Sequence, residues 1–366
     1  MKKITYASAG DNYNTKDPIK KLAQKSAKLT SQNLRLHGFY EEEASRGESA
    51  YVFRQNKQLF ASVVEGLGTK NLIADEMNKI TGKTYYENIG HDTVATIIND
   101  LVSVGARPLV VNAYWAIGDN AWLSDKKRMM DLIKGFKKAC DLSLASWGGG
   151  ETPTLKGIIN SDAIDLGGAA FGIIGPRKKF LTDEKISQAD RIVLLKSSGV
   201  NANGASLIRA IAKKLPKGFE TRLSNKKMFG EEVLAKTNIY AKVIKDLLEN
   251  GIALHYTSNI TGHGLRKIMR GRPAFTYIIE KIISPSPLFI FLQKQSGLSD
   301  YEMYETFNMG MDYALFLPKK DVSKTMQIIK KNGFSSMDAG YVQEGERQVV
   351  IEPLNITYKG KTLNLR

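Results

Sequence analysis

A single cysteine, Cys140, stands in a chain of 366 residues. It can form no intramolecular disulfide and cannot supply the several thiolates of a cysteine-based zinc site. That economy fits a reducing cytoplasm, the expected location. Long hydrophobic runs are missing as well. A membrane span needs about 20 consecutive apolar residues, and the longest candidates here, such as Pro287 to Leu292, have the length of a core strand. The start, Met1-Lys2-Lys3-Ile4-Thr5-Tyr6, is basic with no apolar stretch behind it, so a secretory leader is not expected. There is no GxGxxG fingerprint, no Walker loop and no short solenoid repeat.

Acidic residues are the scarcer charge, 37 against 53 Lys and Arg, which leaves a formal +16. The excess is mostly lysine scattered through amphipathic segments, without an arginine-rich block or a basic-aromatic stripe. Solvated helix faces account for such a pattern. Nucleic acid is therefore not an expected partner, whereas a polyanionic small molecule such as a nucleotide is. With 42% hydrophobic and 25% charged residues, the composition is that of a globular protein. The length points to two domains.

What is present centres on Glu65-Gly66-Leu67-Gly68-Thr69-Lys70, directly after the β-branched run Leu59 to Val64. A strand ending this way presents an acid at its tip. The glycines allow close backbone approach or φ > 0, and a hydroxyl and a cation follow. Those parts suit a phosphate and its divalent metal, although a tight turn with a surface lysine has the same composition. Tyr51 to Arg54 and Leu59 to Val64 read as a hairpin, and Asn71 to Thr81 as a helix ending near Gly82. Upstream, the polar stretch 5–16 reads as irregular. Asp17-Pro18 reads as the start of a lysine-rich helix through Ile19, Leu22, Ala23, Ala27 and Leu29.

Apolar residues at 94, 97, 98, 101 and 102 have helical spacing, and Gly105 stops that helix. Asp92, Asn99 and Asp100 lie off or beside the apolar stripe. They could line one helix edge and suit a hard cation, or simply be a solvated face. Buried-type strands follow at Pro108 to Ala116 and Asp165 to Ile174, with an amphipathic helix from Asp125 to Cys140. Trp147-Gly148-Gly149-Gly150-Glu151-Thr152 implies either close backbone approach to a polar ligand or a demanding turn.

The composition shifts near 176–188, and a new strand starts at Asp190 to Leu195. Ser197 to Arg209 then reads as strand, Gly/Ser/Asn loop and helix, an arrangement that binds anions. Helices are expected around Glu231 to Asn250. A second hydroxyl-glycine turn, Thr257 to Gly264, precedes a basic helix from Leu265 to Met269. A strand from Tyr313, a helix from Val322 to Asn332 and a final strand from Gln348 to Glu352 complete the chain. Cys140 reads as a packing residue, His91 as a surface or packing residue, and His37 and His255 as incidental. Asp312 reads either as a replacement carboxylate or as a strand cap.

The ordered set resembles the aminoimidazole ribonucleotide synthetase family, phosphoribosylformylglycinamidine cyclo-ligases. The stretches that carry it are 65–70, Ile-Gly-x-Asp at 89–92, Asn-Asp-Leu-x-x-x-Gly-Ala-x-Pro-Leu at 99–109, Gly-Gly-Glu-Thr at 149–152 and Asp-Leu-x-Gly at 165–168. Ser-Ser-Gly-x-x-x-Asn-Gly-x-Ser-Leu at 197–207, Ile-Thr-Gly-x-Gly at 260–264 and Glu-Met-Tyr-x-Thr-Phe-Asn-x-Gly at 302–310 continue the match. The resemblance implies an α/β (α+β) chain of two domains, 1–178 and 179–366. The N-terminal sheet would form a barrel-like homodimer core, and the C-terminal sheet would be covered by helices.

It further implies ATP and Mg²⁺, and a nucleotide substrate. ATP would phosphorylate an amide oxygen of formylglycinamidine ribonucleotide, and ring closure would expel phosphate. On that pattern Glu65, Asp92, Asp100 and Glu151 would hold metal. Gly10, Lys16, Gly66, Gly68, Thr69, Lys70, Gly149, Gly150 and Thr152 would surround ATP. Ser198, Gly199, Asn203, Gly204, Thr261, Gly262 and Asn308 would meet substrate, and Lys70, Asn201, Asn259 and His263 would stand at the reacting centre.

The chain departs from the family at ligand-facing loops. Glu65 replaces aspartate, Asn201 and Asn259 replace histidines, His263 replaces a glycine and Ala113 an aspartate. The loop Gly10 to Lys16 differs throughout. Asparagine hydrogen-bonds but carries no proton or charge at neutral pH. Two alternatives therefore stand beside the cyclo-ligase. One is another ATP-using member of the superfamily, as in thiamine monophosphate kinase, selenophosphate synthetase or the hydrogenase-maturation dehydratase. The other is a non-catalytic nucleotide-binding dimer.

Overall fold

The structure, a computed structural model, describes residues 3–5, 10 and 13–363. Of the polar N-terminal stretch, residues 6–9, 11 and 12 lie outside the described residues. Helix α1 (Tyr13–Leu29) begins earlier than the sequence suggests, so Pro18 lies inside it. Pro18 is the sixth residue of this helix, past the four N–H groups that lack partners, so the helix forgoes one intrahelical hydrogen bond there. Ile19, Leu22 and Leu29 on this helix are 66%, 62% and 75% exposed.

The first sheet comprises β1 (Tyr40–Glu41), β2 (Tyr51–Gln55), β3 (Gln58–Gly66), β4 (Arg107–Ile117), β5 (Ser146–Glu151) and β6 (Ile164–Ile174), in the order β1-β2-β3-β6-β4-β5. The expected hairpin is present, with Tyr51 opposite Ser62. Period-two alternation sends Leu59, Ala61 and Val63 into the core and leaves Phe60, Ser62 and Val64 on the other face. On the inner side run α2 (Lys70–Thr81), α3 (Tyr86–Val102) and α4 (Lys126–Leu142).

Helix α3 is enclosed between the sheet and α4. The two helices touch backbone to backbone, since a Cβ on Gly135 would stand 2.0 Å from the Glu87 carbonyl oxygen. Cys140 packs in this layer, 3% exposed, with its thiol pushed up to about 12 by burial.

The second sheet takes β7 (Arg191–Lys196), β8 (Tyr256–Asn259), β9 (Phe275–Ile279), β10 (Met311–Leu317), β11 (Ser336–Glu344), β12 (Gln348–Ile351) and β13 (Ile356–Lys359), in the order β13-β12-β9-β11-β7-β10-β8. Its helices are α5 (Ala205–Ala212), α6 (Phe229–Val233), α7 (Ala241–Glu249), α8 (Pro287–Ser296), α9 (Asp300–Thr306) and α10 (Val322–Lys331). The protein is thus an α/β chain of two sheet-containing domains, and the chain passes between the sheets through 175–190.

Two further elements differ from expectation. Pro287 to Leu292 is helical: Pro287 sits in the first turn, where its missing N–H costs nothing, and Leu288, Phe289, Leu292 and Ser296 turn inward at helical spacing. The strand from Gln348 is followed by β13. The helices expected around 231–250 are α6 and α7, and the irregular stretch between them, 234–240, leans on the first domain.

That stretch is held by the polar row of α3. Asn88 Nδ2 donates to Leu234 O at 2.8 Å, and the Thr237 N–H donates to Asp92 Oδ1 at 2.8 Å. His91 Nε2 stands 2.8 Å from Thr237 O. Asn99 donates to Asn238 O at 2.8 Å and accepts from the Tyr240 N–H at 3.0 Å. Polar residues that look like a metal-binding or solvated edge are largely the seam between the domains. Buried backbone groups need such partners.

Candidate active site between the two sheets

Where the domains meet, a cavity of about 460 Å³ opens. One wall is the tip of β3, Glu65, Gly66, Leu67 and Gly68, with Thr96, Asn99 and Asp100 of α3. The facing wall is the β7–α5 loop at Asn201, Ala202 and Asn203, the end of β8 at Asn259, and the turn Thr261, Gly262 and His263. Lys16 and Lys20 of α1, Glu48 and Ser49, Thr237, Lys267 and Arg270 close the sides. A concave, polar space at a domain boundary is where ligands commonly bind.

Glu65 and Asp100 come from motifs 35 positions apart and meet here. Burial together with the neighbouring Asp100 carboxylate raises the Glu65 carboxyl well above the usual range, while Lys267 partly offsets this. Asn259 Nδ2 donates to Asp100 Oδ1 at 2.6 Å and so orients that carboxylate. Lys267 is 7% exposed and its ammonium donates to Thr261 Oγ1. Burial and the nearby Arg270 lower its pKa, against the pull of Asp100 and Glu65. Arg270 is anchored on the Gly47 carbonyl and on Ser49 Oγ, the latter at 2.7 Å.

His263 takes a left-handed conformation, φ 73°, and burial with the surrounding cations lowers its pKa to about 3. It is neutral at physiological pH. Asn203 Oδ1 accepts from the Gly262 N–H at 3.0 Å, which ties the two hydroxyl-glycine loops together. Asn201 donates to Asp312 Oδ2 at 3.0 Å, and Tyr240 O–H donates to Asp312 Oδ1 at 2.5 Å. Asp312 is therefore a buried anchor behind the Asn201 loop.

Other expected site residues lie elsewhere. Lys70 and Asp92 are 1% and 0% exposed and pair at 2.5 Å; the ammonium also donates to Ala235 O at 3.1 Å. Neither belongs to the cavity wall. They form a buried ion pair next to the strand tip that lines the cavity.

Gly149, Gly150 and Glu151 are on β5, an exposed edge strand, and Thr152 directly follows it. A Cβ on Gly150 would stand 2.2 Å from Ala113 O, beside a register shift between β4 and β5, so that glycine serves a strand irregularity. Asn308 donates to Gly199 O at 2.9 Å and accepts from the Gly310 N–H at 2.9 Å, a loop brace. Gly204 precedes α5 at φ 78°, where a Cβ would meet Phe307 at 2.2 Å. Ser198 is exposed, and Gly10, also exposed, and Thr69 stand outside the wall.

Among the described residues no group of three or more His, Cys, Asp or Glu is placed to hold a metal ion by itself. Sequence reasoning passes over Lys267, Arg270 and Thr237. A lysine within a basic stretch reads as solvated, and only its packing beneath β8 puts Lys267 indoors.

Solved structures share this architecture. A HypE–HypF complex superposes with TM-score 0.61 at 14% identity, over 85% of this chain and 92% of that one. A ThiL complexed with AMPPCP and TMP gives 0.59 at 13% identity, over 86% and 90%. The class is thus a two-domain α/β fold found in proteins crystallised with nucleotides.

Residues 47–174 match the N-terminal domain, and 188–352 the C-terminal domain, of AIR synthase related proteins. Curated phosphoribosylformylglycinamidine cyclo-ligases are similar along most of the chain. That of Rippkaea orientalis is 32% identical over 80% of this chain and 84% of its own length. That of Methanosarcina barkeri is 32% identical over 89% and 92%, and that of Clostridium perfringens 30% over 95% and 100%. The chain belongs to the AIR synthase family.

Proposed function

We propose that the protein is an ATP-dependent cyclo-ligase that converts formylglycinamidine ribonucleotide to aminoimidazole ribonucleotide. The observation that carries this reading is the cavity itself, in which an acidic strand tip, a carboxylate from α3 and a hydroxyl-glycine turn converge with buried cations. In the reaction the substrate amide oxygen bonds to the γ-phosphorus as ADP leaves. A substrate amine then attacks the same carbon, and inorganic phosphate departs with the oxygen.

Phosphoryl transfer asks a protein chiefly for positioning and charge neutralisation. The Leu67 N–H is taken by Leu166 O, and the turn at Gly68 and the start of α2 bring further backbone N–H groups close to the cavity. Thr69 Oγ1 is buried without a partner next to them. Lys16, Lys267 and Arg270 place positive charge on the opposite side, and His263 offers a neutral imidazole.

The residues also fit Mg²⁺. Glu65 and Asp100 repel each other as they stand, and Mg²⁺ is usually held by one or two carboxylates together with substrate phosphates. When bound, the ion would neutralise charge on the phosphate oxygens. Gly149, Gly150, Glu151 and Thr152 are not among the residues that line this cavity.

Two copies are proposed to pair through the outer face of the first sheet, where Val64 is 78%, Leu109 42% and Phe171 36% exposed. Phe53, Phe60 and Phe171 stack there. An apolar face of that kind is unusual on a monomer. The cytoplasm is the proposed location. The test is purified protein with MgATP and formylglycinamidine ribonucleotide, following aminoimidazole ribonucleotide and ADP together. Equal yields of the two support the reading, and ATP binding without ring closure overturns it.

A further inference from the structure

Asn201 is a cavity-wall residue whose amide is held from behind by a buried carboxylate. It is 6% exposed and lies between the cavity and Asp312. Asp312 is itself 1% exposed on β10 and accepts from both Tyr240 O–H and Asn201 Nδ2. Burial pushes the Asp312 carboxyl up to about 6, against the hydrogen bonds from Tyr240 and Asn201. Above neutral pH it is ionised and can only accept. The amide of Asn201 must therefore turn its nitrogen to Asp312 and its oxygen away. That oxygen, Oδ1, is buried and meets no donor among the described residues. An acceptor left this way is costly unless a ligand satisfies it.

We propose that Asn201, positioned by Asp312 and Tyr240, is a specificity residue that accepts a hydrogen bond from an N–H of the substrate. On the cyclo-ligase reading, on which this inference rests, that N–H belongs to the amidine of formylglycinamidine ribonucleotide. Thr237 supports the placement, because its Oγ1 is also buried, unpartnered and part of a residue in the same wall. The site is thereby set against the matching amide nucleotide, formylglycinamide ribonucleotide. That molecule carries a carbonyl oxygen where the amidine carries nitrogen, and it would oppose one acceptor to another.

The test is calorimetric binding of the two nucleotides to the full chain, with MgATP affinity measured alongside. Wild type should prefer the amidine by about tenfold, the scale of one neutral hydrogen bond. Asn201→Gly tolerates the left-handed φ of 58° at this position and should bring the ratio close to one. Asp312→Asn keeps shape but offers an N–H to residue 201, so the Asn201 amide should reverse and the preference move toward the amide nucleotide. A purely structural role for Asp312 would weaken both ligands equally and leave the ratio intact.

An amidine preference that survives both substitutions overturns the inference. So does a change confined to the Mg²⁺ dependence of ATP binding. A wild type that forms aminoimidazole ribonucleotide with no Asn201-dependent preference removes this inference alone. One that binds neither nucleotide removes the cyclo-ligase reading with it.

Discussion

Lys70 and Asp92 pair at 2.5 Å with 1% and 0% exposure. Removing one partner of such a pair leaves an unpaired buried charge and costs about 3–5 kcal/mol. Asp92→Asn should therefore lower the urea midpoint strongly. Glu65→Gln should behave in the opposite way. It relieves repulsion from Asp100, so stability should hold or rise, while turnover falls by about 10²-fold or more. Urea titration and turnover of the two variants, measured together, check the contrast, and equal loss of stability and turnover in Glu65→Gln would move Glu65 into the scaffold. Both acids stand in motifs of similar type, so residue identity alone does not separate them. Glu65 is legible as a cavity residue because glycines follow it and leave its tip open. The fate of Asp92 depends on what the 234–240 stretch does, which no local pattern reveals. Asp312 likewise finds its meaning only through Tyr240 and Asn201, far away in the chain.

Helix α3 is the element that joins the site to the rest of the protein, and its first turn carries a titratable clamp. Lys134 and Lys138 of α4 and Lys236 of the inter-helix stretch surround Glu87. Hydrogen bonds from those three lysines hold its carboxyl down to about 2, below the ordinary 4.5. A depressed acid adds stability above its unfolded value and loses it as pH falls toward its folded value. The clamp should thus contribute fully near neutral pH and fade between 4.5 and about 2. Comparing wild type with Glu87→Gln in urea across that range checks it: the gap should close with acid and also shrink with salt. The helical spacing of α3 is plain in the sequence, as are β3, α2 and α4, because one face of each is apolar. Helix α8 is less so, since its six-residue run Pro287 to Leu292 suits a strand as well, and only Pro287 in the first turn decides it. Gaps such as 234–240 carry no periodicity at all, yet they bring the domains into register.

At the scale of the molecule, two sheets of six and seven strands meet across a hydrogen-bonded seam. The composition shift near 176–188 marks where the chain passes between them, whereas the hydrogen bonds from α3 to 234–240 leave no trace in composition. The outer face of the first sheet predicts self-association. Val64→Asp should shift the sedimentation coefficient from dimer toward monomer at micromolar concentration, and an unchanged profile would remove that face as the contact. The shared cavity has a further consequence. A nucleotide lodged there grips both halves at once and acts as a cross-brace, so neither half can unravel while it stays. Raising MgATP should draw separate calorimetric transitions into one that climbs with the logarithm of its concentration.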